Sequence, residues 1–355
     1  MPDFDIVVIG GGPAGAAAAI TSSRSGLEVL LVELGGPFRH KACGGVLPPV
    51  TADLISDTLG RSIPESVMST PRELGLYYVP PSGRVNGGAV RNYRLLNVNR
   101  DLLDQWLRKL AQEEGVEIRY ETSFLRFQDS DPIRVFLAKK DGTVLKITTR
   151  YLIGADGVHS RVRKQLYGVE EKLLHILQES WRAEGNFDDC FYALFNGSIS
   201  PAYGYVIPKD GLLVFGVGAP RAYLKCITAY LIRFKDWLKE EFGFREGSLE
   251  GREIWAIPYG FVRKGVRDII LIGDAAGLCN SLSGEGVRWA IESGVTAATS
   301  IQEAISNGRA LAAVYGDRIE PLESFVRRTY NFSTSLTDEG REEFVRSELK
   351  RVSLD

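Results

Sequence analysis

The sequence predicts an α/β protein: a doubly wound domain assembled from several pieces of the chain, an inserted, mostly antiparallel β-sheet domain, and a helical C-terminus. Three observations carry this prediction. Residues 4–33 run apolar strand, glycine turn, small-residue helix, apolar strand. Two later apolar runs, 151–154 and 269–272, also end in an acid beside glycine. The middle of the chain alternates apolar and polar residues like antiparallel strands.

The 355 residues suffice for two or three domains and a large core. With 44% apolar and 25% charged residues, the composition is globular and excludes disorder, collagen and coiled coil for the whole chain. Forty-three basic against 45 acidic residues leave no charge excess that points to nucleic acid. Cys43, Cys190, Cys226 and Cys279 are far apart and His40, His159 and His175 lack metal-ligand spacing, so neither a disulfide framework nor a metal site is expected. Such cysteine usage suits a reducing, cytoplasmic compartment. The N-terminus shows no charged n-region or cleavage site, so no signal peptide is expected. No run of 18 apolar residues would span a bilayer.

FDIVVI at 4–9 reads as a buried parallel strand. Gly10-Gly11-Gly12-Pro13-Ala14-Gly15 follows it as G-x-G-x-x-G, then a helix to Ser25, then EVLLVE at 28–33. Gly10 permits the tight turn, Gly12 lets a pyrophosphate approach the backbone, and Gly15 lets helix and strand pack closely. The helix start offers free N–H groups and about half a positive charge to phosphates. Glu33 can accept hydrogen bonds from ribose hydroxyls and disfavours a 2′-phosphate, which suits FAD or NAD over NADP. The run YLIGADGVHSRVR at 151–163 leads into Asp156-Gly157. DIILIGDAAGLCNSLSGEG at 268–286 leads through Gly273-Asp274 to Ser283-Gly284-Glu285-Gly286 and a helix. Either acid could meet ribitol or ribose hydroxyls, and the last helix could turn its N-terminus to the cofactor.

In combination these motifs resemble the p-hydroxybenzoate hydroxylase superfamily of FAD enzymes, in which three such motifs bind one FAD. Gly10, Gly12, Gly15 and Glu33 match the first motif, Asp156 and Gly157 the second, Gly273 and Asp274 the third. Arg100, opening the helix RDLLDQWLRKLAQE, matches the family's cofactor-contacting arginine. KACGGVLP at 41–48 and PAYGYVIP at 201–208 resemble the geranylgeranyl reductase branch, with its Cys-Gly stretch and P-x-x-Y-x-W-x-F-P motif. Pro201, Tyr203 and Pro208 match, while Tyr205 replaces the tryptophan and Ile207 the phenylalanine. Ser283-Gly284-Glu285-Gly286 resembles that branch's S/T-G-E-G ending. The chain reads as short at its C-terminus for this branch, with part of a C-terminal lobe missing or replaced.

The resemblance implies non-covalent FAD in a discontinuous Rossmann-like domain. The expected division is 1–75, 96–170 and 263–325 for FAD, 76–95 and 171–262 for the substrate sheet, and 326–355 for a short C-terminal helical segment. Within this plan, 100–114, 223–242, 286–306 and 310–328 read as helices. Strands are expected over 116–127, 133–149, 174–184, 190–195, 203–208 and 212–218, with turns at Asp141-Gly142 and Pro208-Lys209-Asp210-Gly211.

The implied activity is reduction of carbon–carbon double bonds in an isoprenoid (geranylgeranyl-type) chain. Tyr203 and Tyr205, two residues apart, share one sheet face and are the expected walls of an apolar tunnel. Cys43, before Gly44-Gly45, is the candidate proton donor, with His40 and Lys41 as neighbours able to tune its thiol. Only one G-x-G-x-x-G occurs, so electrons would come from transiently bound NADPH or a reduced, ferredoxin-like protein. The substrate would be an isoprenoid lipid or isoprenyl diphosphate, met in the cytoplasm or at a membrane surface. Two other readings stand beside this one. YGYVIP echoes the W-x-W-x-I-P motif of flavin halogenases, with tyrosine at both tryptophans, which admits a flavin monooxygenase or halogenase. A non-catalytic flavoprotein binding a lipid or partner is the third. Arg84, Arg91 and Arg94 could select a small aromatic acid if they point inward.

Overall fold

The computed structural model describes residues 1–351, and of Arg351 only the backbone. Residues 352–355 of the expected C-terminal segment lie outside the described residues. Two eight-stranded sheets organise the chain.

In the first sheet the strand Phe4–Ile9 lies parallel between Val29–Val32 and the inner half of Val144–Gly154. Ile269–Leu271 continues the parallel array beyond Val144–Gly154, and Glu117–Arg119 continues it beyond Val29–Val32. Apart from Glu117–Arg119 at the rim, the carboxyl halves of these strands are buried on both faces, which is why they read as unbroken apolar runs. Residues 116–127, expected as one antiparallel strand, divide. Glu117–Arg119 joins the parallel array, whereas Thr122–Gln128 pairs antiparallel with Ile133–Lys139. Positive φ at Glu121 makes the break between them. Ile133–Lys139 then turns at Asp141-Gly142, as expected, into Val144–Gly154, whose outer half it pairs.

The second sheet runs Arg245–Pro258, Leu173–Glu184, Leu212–Pro220, Gly204–Lys209, Cys190–Leu194, Met68–Val79, Gly88–Val98, Val46–Leu47. It is antiparallel except where Cys190–Leu194 meets Met68–Val79. The strand Met68–Val79 crosses the 75/76 division expected from sequence, and Gly88–Val98 crosses the one at 95/96. Arg245–Pro258 was not foreseen, because residues 245–250 are exposed and show no apolar alternation. The helix Pro49–Leu59 was also unforeseen. The helix expected from 223 begins at Ile227, after a 3₁₀ turn over Arg221–Cys226, and ends at Phe242.

Each face of this sheet has its own cover. Leu231, Phe234, Leu238 and Phe242 of Ile227–Phe242 pack against Tyr192, Phe215 and Val217. Leu74, Leu95, Ile176, Tyr205, Ile207 and Val214 cluster on the other face. Arg84 belongs to the first side: its guanidinium lies over the Phe242 ring. Arg94 pairs with Gly75, on the face opposite Leu74 and Leu95. Neither arginine joins the apolar cluster.

The helices of the first sheet meet through small residues. Ala16, Ala17, Ala18 and Ala19 of the helix Pro13–Arg24 are all fully buried. The helix Val287–Asn307 comes so near that a Cβ on Gly294 would lie 2.4 Å from the Ala14 carbonyl oxygen. Leu311–Ser335 follows, with Pro321 inside it, and runs through the expected 325/326 division. Asp338–Arg351 closes the described chain, setting Val345 and Phe344 near Ala193 and Phe195 of the second sheet.

Gly294→Val should push these two helices apart and cost about 1–3 kcal/mol of stability through overpacking. Equilibrium urea denaturation of the variant beside wild type measures the loss.

Candidate active site

Register places the motifs. Ile9 is paired with Val32 and with Gly154, and Gly154 with Leu271. Four parallel strands therefore end level, and Gly10, Glu33, Asp156 and Gly273 all follow at one edge. In open α/β sheets ligands bind outside the carboxyl ends of the strands.

The glycine turn is as close as its sequence implies. Gly10 has φ +108°, and a Cβ on Gly15 would fall 1.9 Å from the Gly10 carbonyl oxygen. Gly12 differs: a Cβ there would touch only the end of Arg39, at 3.4 Å. Gly12 is the N-cap of Pro13–Arg24 and no side chain caps that helix. Its first amides thus remain available to an anion. Ala14 lies below, where a Cβ on Gly273 would come within 2.9 Å of its methyl. Gly286 is likewise an N-cap without a side-chain acceptor, for Val287–Asn307.

Glu33 is buried and accepts N–H bonds from Gly11 at 2.9 Å and Gly35 at 2.8 Å. From it a ladder of alternating charge crosses the site. Arg39 Nε lies 3.4 Å from Glu33, and Arg39 Nη2 lies 3.1 Å from Asp104. The other Asp104 oxygen accepts from Arg100 Nη2 at 3.0 Å, and Arg100 Nη1 donates to Cys43 Sγ at 3.2 Å. Burial opposes the charge on Arg100, but Asp104 and then Cys43 outweigh it and hold the guanidinium protonated. The fully buried Arg108 donates to the Gly11 and Pro37 carbonyls, tying the glycine turn to the loop that follows Val29–Val32.

Asp156 departs from expectation. One carboxylate oxygen accepts the Arg161 and Val162 amides that open the helix Arg161–Tyr167, and the other accepts the hydroxyl of Ser160, the N-cap of that helix. Burial pushes the Asp156 pKa up against those bonds. At this turn it is the open backbone of Gly157, φ +75°, that faces free space. The Asp274 carboxylate has no hydrogen-bond partner among the described residues, and lies beside Gly286, whose Cβ would be 3.5 Å away. Burial raises its pKa, opposed by Lys41, Arg100 and Arg163.

Cys43 is half-buried, and its sulfur also receives the Gly45 N–H at 3.4 Å. The cation against it is Arg100, not His40, which spends both ring nitrogens on Asp101 and Glu253. The Lys41 amide donates to Asp101 as well. Gly44 abuts the second sheet: a Cβ there would stand 2.7 Å from Ile207 Cδ1. Lys209, two residues on, donates to Val98 O at 2.8 Å, and burial pulls its pKa down to about 8. Tyr203 and Tyr205 do share a cluster, with ring centroids 6.2 Å apart. Tyr205 stacks on Phe191, and Tyr203 donates to the Ser283 carbonyl, next to Gly284 and Glu285. Burial pushes both phenols well up.

The structure thus gathers the predicted residues into one place: three glycine turns at the strand ends, then Cys43-Gly44-Gly45 against an aromatic sheet face. Arg39, Asp104, Arg108 and Lys209 were not foreseen. The i,i+4 spacing of Arg100 and Asp104 on one helix was the available signal for Asp104. Two uncapped helix starts, a floor with no room for a Cβ, a buried acid and an unpartnered one fit a long dinucleotide with its pyrophosphate at Gly12.

Strand order and site together define a dinucleotide-binding flavoprotein. The FAD binding domain family matches residues 3–184. The geranylgeranyl diphosphate reductase of Rhodobacter capsulatus is 32% identical over 321 residues, 86% of this chain and 77% of that protein. The chain belongs to the geranylgeranyl reductase family of FAD-dependent oxidoreductases, and FAD is its cofactor. Two solved structures share the fold. A geranylgeranyl bacteriochlorophyll reductase-like protein from Thermoplasma acidophilum superposes with TM-score 0.82 at 21% identity, over 98% of this chain and 91% of that one. The myxobacterial chondrochloren halogenase gives 0.76 at 19%, over 99% and 91%.

Glu33→Gln keeps the shape of the buried side chain and removes its charge. FAD should bind more weakly by about 1.5–3 kcal/mol, the worth of a hydrogen bond to a charged group. Flavin retained through gel filtration, and titration of the apoprotein with FAD, read the loss.

Proposed function

We propose that this enzyme reduces carbon–carbon double bonds in an isoprenoid (geranylgeranyl-type) chain. The observation that carries the reading is a thiol paired with a buried guanidinium, set against an apolar, aromatic sheet face. The R. capsulatus relative, named for geranylgeranyl diphosphate reduction, supports the substrate class.

In this reading FAD binds non-covalently. Gly10, Gly12, Pro13, Ala14 and Gly15 form the pyrophosphate turn, and Glu33 meets a ribose. Asp274 is free for the ribitol, with Gly157, Gly273, Gly284, Glu285 and Gly286 lining the remaining approach. Arg100, Gly44 and Gly45 border the flavin end. Reduced FAD, when bound, supplies the hydrogen and the electron pair that saturate the double bond.

The protein's own part is orientation, exclusion of water and one proton. Tyr203 and Tyr205, with Phe191 and Ile207, lay the chain along the sheet face. Cys43 Sγ gives its proton to the second alkene carbon. The Arg100 guanidinium then faces the thiolate left behind, which lowers the cost of that charge. Water returns the proton. NADPH or a reduced ferredoxin-like protein supplies the electrons. The substrate would bring the enzyme to a membrane surface, and no helix among the described residues is long and apolar enough to cross one.

Cys43→Ala should keep its FAD and lose most alkene reduction, at least about the hundredfold typical of a proton donor. Mass measurement of the product, for gains of two hydrogens, scores it. Turnover at the wild-type rate would leave Cys43 a packing residue.

The halogenase on the same fold sets the competing reaction. Reduced holoenzyme mixed with a geranylgeranyl lipid or diphosphate, without oxygen, should recover the oxidised flavin band at the expense of the alkene. A flavin that stays reduced with every isoprenoid, while oxygen yields a hydroxylated or halogenated product from another compound, overturns the reductase reading.

A further inference from the structure

A chain of hydrogen bonds leads from the buried sheet face to the surface of the Cys43 loop. The Tyr205 hydroxyl donates to Gln178 Oε1 at 2.7 Å. Gln178 Nε2 donates to Glu253 Oε2 at 3.4 Å, its partner on the neighbouring strand. The other Glu253 oxygen faces His40 Nε2, and His40 Nδ1 lies 2.8 Å from Asp101 Oδ2. Asp101 follows Arg100, the residue that touches Cys43.

Chemistry fixes the proton state of this chain. Ionised carboxylates only accept hydrogen bonds, so both His40 nitrogens must donate, and only the imidazolium does so. A neutral ring would turn one lone pair toward a carboxylate. The side chain is 65% exposed, so its proton exchanges freely with water. Two carboxylates face it, Asp101 from the helix Arg100–Glu113 and Glu253 from the strand Arg245–Pro258; Arg39 and Lys41 are its sequence neighbours and Arg252 is that of Glu253. Arg39 is turned to Glu33 and Asp104, and Arg252 to Glu179.

We propose that His40 is a protonation-dependent clasp: as imidazolium it holds the Cys43 loop against the substrate sheet and, through Glu253 and Gln178, sets the Tyr205 hydroxyl. His40 is a positioning residue, and the proposal rests on the reading that Cys43 and Tyr205 face the reacting chain. The hydrogen bonds to Asp101 and then Glu253 raise the His40 pKa, against burial. A raised pKa means the clasp is complete below the ordinary histidine value of about 6.5 and is lost as pH rises through the higher folded value.

Alkylation of Cys43 by iodoacetamide, followed on the FAD-loaded enzyme by peptide mass spectrometry, reads the loop without any substrate. Thiol ionisation speeds alkylation with pH in every variant, so rates are compared at equal pH. At about pH 6 His40→Gln should react about fivefold faster than wild type, the scale of an exposed ion pair. By about pH 9, where a free histidine is neutral, the two should converge. His40→Arg keeps the cation and should stay slow at both. Glu253→Gln should match His40→Gln, and it tests the clasp if His40→Gln fails to fold. Wild-type rates in both glutamine variants at about pH 6, or a difference that persists unchanged to high pH, overturn the clasp. Clasp behaviour without reduction of any isoprenoid would keep the clasp and remove the substrate reading, whereas reduction with no clasp behaviour would do the reverse.

Discussion

Everything at the cofactor edge depends on one approach: Gly15 against the carbonyl of Gly10, where a methyl group would stand 1.9 Å from oxygen. That contact lets the helix Pro13–Arg24 rest directly on its strand and aims its uncapped amides at the strand ends. The alanines behind Gly15 extend the same requirement. All four are fully buried, and Val287–Asn307 meets the same helix at the Ala14 carbonyl through Gly294. Two helix starts are thereby fixed in relation to one sheet, although they belong to segments far apart in sequence.

Charge, and not only shape, joins that edge to the aromatic face. Glu33, Arg39, Asp104, Arg100 and Cys43 alternate in sign or hydrogen-bonding sense across the site. Each buried ion in such a row faces an opposite neighbour, which offsets the several kcal/mol that burial costs an isolated charge. Lys209, which has carbonyls for partners instead of a carboxylate, is the exception, and burial lowers its pKa accordingly.

The parts of this site legible in the sequence were those where local chemistry forbids alternatives. Gly10, Gly12 and Gly15 follow a strand and open a helix, so their spacing alone exposes the turn. Glu33, Gly273 and Asp274 close apolar runs, and strand ends are readable. Asp156 was found by the same rule, but the rule cannot say where a carboxylate points, and here the following helix takes it. Arg39, Gln178 and Glu253 left no local mark, because their partners lie 65 to 213 residues away. The long strand Arg245–Pro258 hid for a related reason: its outer half is charged and exposed, with only Trp255 to Pro258 reading as sheet.

The strand Val144–Gly154 is paired in parallel with Phe4–Ile9 and Ile269–Leu271 and, along its outer half, antiparallel with Ile133–Lys139. A chain emerging from the ribosome can therefore form the hairpin around Asp141-Gly142 early, from neighbouring residues. The parallel array cannot close until Leu271 is synthesised, after the whole second sheet has appeared. Until then residues 152–154 lack a partner on the edge away from Phe4–Ile9, and the acid of the last turn does not yet exist. With FAD bound as proposed, the cofactor is a late staple, because the turns from Gly10 to Gly286 coexist only when nearly all of the protein has been made.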